Sequence, residues 1–219
     1  MVEPIRQTRR EKVEAKEAAI LTAAQAEFAA KGYDRARISD IARAVGAAEG
    51  TFYTYFPNKE ALLARVLDDF WARLTDDARD AVAGVDDIFE RLARLARRHL
   101  MLCLDEFDFM EMTLIYGAPR RTDHTTHAYM RTYVSVFDEI WRSGVDRGQL
   151  RADQPLWVAR DQFYGALEYS ARTLLLRGSR EIDLVVDTLL RTLAAGFGVS
   201  QKGRISAQPT AVLPGRRSR

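Results

Sequence analysis

The chain is poor in cysteine and histidine and has no long apolar run, and each shortage closes off a class of protein. A single cysteine, Cys103, stands among 219 residues, so no internal disulfide can form and a reducing cytoplasm is the expected setting. It sits in the apolar run Leu100-Met-Leu-Cys-Leu104, where a buried, inert thiol is expected rather than a redox sensor. Of the three histidines, His124 and His127 lie near Asp123 in a polar stretch without a clear third ligand, so no metal and no other cofactor is expected. His99 falls on an apolar stripe and reads as a core histidine. No apolar segment approaches the about 18–20 residues needed to span a bilayer. The Arg- and Glu-rich start has no apolar stretch and does not read as a signal peptide. A nucleophile–base pair and a closed ligand set are both missing, so catalysis is not expected. Strand alternation is missing as well, which leaves an all-α protein.

What is present is ordinary in bulk and uneven in detail. Hydrophobic residues make up 47% and charged residues 29%, enough for a sizeable core. Residues 1–60 carry ten Lys/Arg against nine Asp/Glu, residues 61–198 eighteen against twenty-two, and residues 199–219 five against none. The middle is therefore acidic and unsuited to lie against DNA, while the N-terminal part must place its few cations well to do so.

Helical periodicity recurs along almost the whole chain and predicts about nine helices. The first covers residues 16–31, with Ile20, Ala24 and Phe28 on one face and Gly32 as its stop. Two short ones follow at 38–45, closed by Gly46, and 49–55, ended by Pro57. A long helix begins after Asn58, a good N-cap, with Leu62, Val66, Phe70 and Leu74 at four-residue spacing. Further helices are expected at 86–104, 106–116, 126–145, 155–176 and 180–197. Residues 198–219 read as a disordered basic tail.

The short pair at 38–55 is the most informative stretch. Two short helices joined by a tight glycine turn form a helix-turn-helix, whose second helix enters the DNA major groove. Ile20, Phe28, Gly32-Tyr33, Ile41-Ala42, Gly46 and above all Gly50-Thr-Phe-Tyr-Thr-Tyr-Phe-Pro-Asn-Lys-Glu60 with Leu62-Leu63 resemble the TetR family of bacterial one-component repressors. The resemblance covers about a quarter of the chain. It implies an N-terminal three-helix DNA-binding domain and a larger helical C-terminal domain that binds a small molecule and dimerises. The expected divisions are a flexible basic arm at 1–14, the helix-turn-helix domain at 15–60, an effector-binding and dimerisation domain at 61–198, and the tail at 199–219. Two departures stand out. Ala36-Arg37 and Ala47-Ala48 replace hydroxyl residues that cap helices in the family, and each lost cap costs about 1 kcal/mol.

Tyr53, Tyr55 and Lys59 match family positions that touch the DNA backbone, and the chemistry agrees. A lysine at a helix start adds charge to free N–H groups, and phenols donate to phosphate. Gly50 lets the recognition helix approach base edges, and Thr51 offers a methyl and a hydroxyl. Glu49 can accept from cytosine, Thr54 completes the set, and Arg37, Ser39 and Arg43 are further phosphate candidates. Phe52 and Phe56, four apart, are expected in the core. Arg6, Arg9, Arg10 and Lys12 can reach the minor groove as an arm or simply solubilise the end.

A reader this small needs a homodimer on two half-sites. The helices at 155–176 and 180–197 suit its seam, with Val158, Phe163, Leu167, Ala171 and Leu174, then Ile182, Val185, Val186, Leu189, Leu193 and Phe197, although such stripes also serve a chain's own core. For a small hydrophobic effector the candidates are Phe107, Met110, Tyr116, Met130, Tyr133, Phe137, Trp141, Phe163, Tyr164 and Tyr169, a set that lines a pocket or fills a plain core. The segment 133–165 is similar to acyl-CoA-responsive TetR members that control fatty-acid degradation. That implies a fatty acyl-CoA, whose anionic end Arg97, Arg98 or Arg131 can meet. A hydrophobic cation, as in a multidrug sensor governing an efflux gene, needs acids such as Asp105, Glu106, Asp108, Glu111 or Glu168, which are also present. An orphan DNA-binding regulator without an effector is the remaining reading.

Overall fold

The computed structural model describes residues 8–116 and 126–198. Nine helices occur among them: α1 (Arg9–Arg35), α2 (Ile38–Ala44), α3 (Glu49–Phe52), α4 (Lys59–Val82), α5 (Ile88–Asp105), α6 (Phe107–Tyr116), α7 (Thr126–Asp146), α8 (Leu156–Arg177) and α9 (Ile182–Phe197). The sole strand-like feature among the described residues is an isolated bridge between Leu150 and Gly198. The loop holding His124, the tail at 199–219 and residues 1–7 lie outside the described residues, as does the side chain of His127.

Helix α1 begins well ahead of the expected residue 16, so residues 9–14, assigned above to a flexible arm, are helical. The cause is a capping box: the Glu11 N–H donates to the Thr8 hydroxyl at 3.2 Å and the Thr8 N–H donates to the Glu11 carboxylate at 2.7 Å. Periodicity passes over this turn because its residues are solvent-facing all round. Helix α3 stops at Phe52 rather than 55. The Thr54 and Tyr55 N–H groups turn back to Thr51 and Phe52, three residues away, in tight turns that lead into Pro57. Asn58 then caps α4 by accepting from the Ala61 N–H at 2.7 Å.

One cluster of buried side chains runs along α4 and joins its two ends. Toward its start, Ile20 and Phe28 of α1, Ile41 of α2 and Phe52 of α3 pack around Leu62 and Val66. Further along, Phe70 meets Phe109 of α6 with ring centroids 4.7 Å apart, and α4 packs along α7. Helix α5 is the hub of the larger part, touching α4, α6, α7, α8 and α9, and Ile88, Leu92, Leu95 and Leu100 on it are sealed from solvent. Among the described residues no helix is long and apolar enough to cross a membrane.

Candidate DNA-reading surface and effector cavity

The α2–α3 unit is held from behind by apolar contacts, which leaves its polar face to solvent. Gly46 takes a left-handed φ of +60°, open to glycine at little cost, and turns the chain between the two helices. Phe52 and Phe56 are buried as expected, 5.7 Å apart, and anchor α3. Neither α2 nor α3 has a side-chain cap, in keeping with Arg37 and Ala48 at those positions. Arg37, Arg43, Glu49, Gly50, Thr51, Tyr53 and Thr54 are exposed, and Ser39, Tyr55 and Lys59 are half-buried. The Thr54 hydroxyl donates to the Thr51 carbonyl at 2.6 Å. The Lys59 ammonium donates to the Asp34 carbonyl at 3.2 Å and lies 4.5 Å from the centre of the Tyr33 ring, tying the start of α4 to the end of α1. Lys31 bridges Glu27 and Asp40, which joins α1 to α2; hydrogen bonds to Glu27 and then Asp40 raise the Lys31 pKa, and the bond from Lys31 lowers that of Asp40. Lys16 donates to the Val45 carbonyl at 2.6 Å, fixing the turn itself.

A cavity of about 700 Å³ opens among α4, α5, α6, α7 and α8. Four of the sequence candidates line it: Met110, Met130, Tyr133 and Tyr164. Phe137, Trp141 and Phe163 stand behind that wall as packed core, with Phe137 stacked on Trp141 at 5.5 Å. Phe107 faces a smaller cleft near the α5–α6 turn, beneath the Arg172 guanidinium. Tyr169 points to solvent, 76% exposed, and the side chain of Tyr116 lies outside the described residues.

Several lining residues were not on the sequence list, and most are polar. Trp71 brings α4 into the wall, and His99 brings α5. His99 is a satisfied core histidine, as its stripe implied: Nδ1 pairs with the Tyr133 hydroxyl at 2.9 Å and Nε2 with Cys103 Sγ at 3.5 Å. Burial lowers its pKa to about 4, so it is neutral at physiological pH, and burial pushes the Cys103 thiol up to about 12. Arg160 of α8 donates to the buried Asp138 of α7 at 2.8 Å. The signal for Asp138 was a carboxylate amid Phe137, Ile140 and Trp141, a place where charge survives only when paired. Asp161 and Glu168 complete the acidic side, and burial raises the Glu168 pKa while Arg172 draws it back. Of the proposed basic partners, Arg131 lines the cavity and is exposed, whereas Arg97 pairs with Asp183 at 2.7 Å and Arg98 with Asp77. Of the acids, Asp105 is held by Arg180, while Asp105, Glu106 and Asp108 border the smaller cleft; the Glu111 side chain lies outside the described residues.

Helices α8 and α9 show a division the sequence left open. Phe163, Leu167, Ala171, Leu174, Val186 and Leu193 are buried in the chain's own core. A different face carries exposed apolar side chains: Trp157, Tyr169, Leu175 and Leu176 on α8 and Leu184 on α9, with Leu176 89% exposed. One polar clasp joins the head to the cavity wall. The Gln25 amide of α1 donates to Glu106 at 2.7 Å, beside the start of α6, and accepts from Arg73 of α4 at 2.9 Å.

Comparison with known proteins bears on both parts. Residues 20–66 match the family described as bacterial regulatory proteins, tetR family. The chain is 24% identical over 186 residues to the fatty acid metabolism regulator protein of Bacillus subtilis (strain 168), covering 81% of this chain and 93% of that one. It is 28% identical over 181 residues to the HTH-type transcriptional repressor AcnR of Corynebacterium glutamicum, covering 78% and 90%. The structure of the transcriptional regulator FadR from Bacillus subtilis in complex with stearoyl-CoA superposes with a TM-score of 0.70 at 21% identity, over 82% of this chain and 98% of that one. At that identity the likeness speaks for the fold, which pairs an N-terminal helix-turn-helix with a larger helical body.

Proposed function

We propose that the chain, whose residues 20–66 match the tetR family of bacterial regulatory proteins, is a cytoplasmic transcriptional repressor of that family, without enzymatic activity, that binds a palindromic operator as a homodimer and is released by a fatty acyl-CoA. Residues 15–60 read the DNA, with α1 carrying helical cations ahead of them, and residues 61–198 bind the effector and dimerise. The observation that carries this reading is the cavity of about 700 Å³, within the range of small-molecule sites, with aromatic and methionine walls and Arg131 exposed where a phosphorylated carrier can lie outside. The names of the Bacillus subtilis relatives, one a fatty acid metabolism regulator and one seen with stearoyl-CoA, support the acyl class. The exposed apolar side chains of α8 and α9 support a dimer seam, since large apolar groups gathered on two neighbouring helices suit an interaction surface. An effector releases DNA only by favouring a conformation in which the two heads no longer match the half-sites. The Gln25 clasp links the helices that would have to move.

Selection from a random duplex library should return an inverted repeat, and stearoyl-CoA should displace the protein from it. The double variant Tyr53→Ala, Lys59→Ala should weaken that binding at least tenfold with the dimer intact, and loss of folding instead would remove both side chains from the DNA surface. A second reading has its own observation: Asp161 and Glu168 line the same cavity and suit a hydrophobic cation. Displacement by cetyltrimethylammonium and not by stearoyl-CoA would establish that reading in place of the first.

A further inference from the structure

Tyr164 stands out among the residues around the cavity. It lines the wall, it is 7% exposed, and its hydroxyl has no hydrogen-bond partner among the described residues. A buried hydroxyl left unpaired carries a desolvation penalty that most proteins avoid. Its neighbours leave it little choice of partner. The His99 ring is 4.8 Å away centroid to centroid, and both of its nitrogens are engaged. Tyr133, at 5.8 Å, is the residue that engages one of them. The nearby carboxylate of Asp138 is taken by Arg160. Tyr164, Tyr133 and His99 therefore form a buried neutral polar spot in a wall that also carries Trp71, Met110, Met130 and Val134, the Asp138–Arg160 pair, and Arg131, Asp161 and Glu168.

A free carboxylate placed there would be buried near Glu168, while Arg160 is already engaged by Asp138 and Arg131 is exposed. A neutral acceptor faces no such opposition and can accept a hydrogen bond from the phenolic O–H. The inference rests on the acyl thioester reading above: we propose that the Tyr164 hydroxyl donates a hydrogen bond to the carbonyl oxygen of the bound acyl group, making Tyr164 a specificity-determining residue that recognises the acyl carbonyl separately from the chain and the carrier. The donor has no partner to give up, so the bond adds affinity without breaking another.

The test compares stearoyl-CoA with S-octadecyl-CoA, the thioether in which a methylene replaces the carbonyl, by titration calorimetry on the full chain. The wild type should bind the thioester about tenfold more tightly than the thioether. Tyr164→Phe should bind the two equally, at the wild-type thioether affinity. That variant removes a single oxygen that has no partner, so it should melt at or above the wild-type temperature, which certifies its fold. Equal binding of both ligands by the wild type, or a thioester preference that survives in Tyr164→Phe, would overturn the assignment while leaving the effector class standing. Binding of neither ligand would overturn both.

Discussion

At the scale of the residue, His99 couples the cavity to pH through stability. Its pKa lies at about 4 in the fold against an ordinary value of 6.5, because burial penalises the charged ring. Above pH 6.5 the ring is neutral in folded and unfolded chains alike, and nothing is lost. As pH falls from 6.5 toward 4 the unfolded chain takes up a proton that the folded one refuses, so stability drops, by on the order of 3 kcal/mol once pH is below 4. Denaturant titrations at pH 7.5 and pH 4.5 should show this drop in the wild type and a smaller one in His99→Gln, which keeps a hydrogen-bonding side chain without the titration. A profile unchanged by that substitution would mean the ring does not titrate as its burial requires. At this scale the sequence told only part of the story. Met110, Met130, Tyr133 and Tyr164 stood out because large flexible and aromatic side chains are what apolar walls are made of. Phe137 and Phe163 carry the same chemistry and sit in the core, because which side of a buried helix meets a void depends on packing between helices far apart in sequence. Asp138 and Arg160, 22 residues apart, become a pair only when α7 meets α8.

At the scale of the element, the sequence was most legible where a helix has one apolar face and explicit stops. The start of α4 and both ends of α8 and α9 follow Asn58, Pro155, Gly178 and the apolar spacing closely. The reading fell short where local hydrogen bonds decide. The Thr8–Glu11 box adds two turns to α1 without any apolar stripe, and the tight turns after Phe52 end α3 before its aromatic run is finished. The extension of α1 is held at its start by that box, with the exposed Arg10–Glu14 pair at 2.7 Å inside it, so Thr8→Ala should speed amide hydrogen exchange across residues 9–15. It should leave the melting temperature nearly unchanged, because that turn is solvent-exposed and contributes nothing to the core. Protection persisting in the variant would show that another contact holds the extension.

At the scale of the whole molecule, the proposed dimer depends on the exposed face of α8 and α9. Of the stripes read from the sequence as a seam, Phe163, Leu167, Ala171, Leu174, Val186 and Leu193 are buried in the chain's own core and Val158, Ile182, Val185, Leu189 and Phe197 are half-buried, while other apolar side chains stand exposed on the outer face. A helix that is apolar on both sides has no single stripe, and periodicity alone cannot say which side belongs to a partner. Leu176→Asp, at a site 89% exposed, should leave the monomer folded and convert a dimer to monomers in sedimentation velocity at micromolar concentration. It should also abolish tight operator binding, since each copy has one reading head. A dimer that persists with this charge on the outer face of α8 would place the interface elsewhere.

The three tryptophans fall in three different surroundings. Trp71 lines the cavity and leans on Tyr133 at 5.4 Å, Trp141 is 2% exposed in the core, and Trp157 is 61% exposed on the outer face of α8. Their emission should therefore separate by colour, with Trp157 red-shifted in water and the other two blue. A Trp157→Phe chain would carry its remaining light in the interior, where quenching of Trp71 reports a molecule entering the cavity. The red component of the unmodified chain would follow the outer face as it becomes covered. The protein holds its own optical reporters for both of its proposed transactions, and neither requires an attached dye.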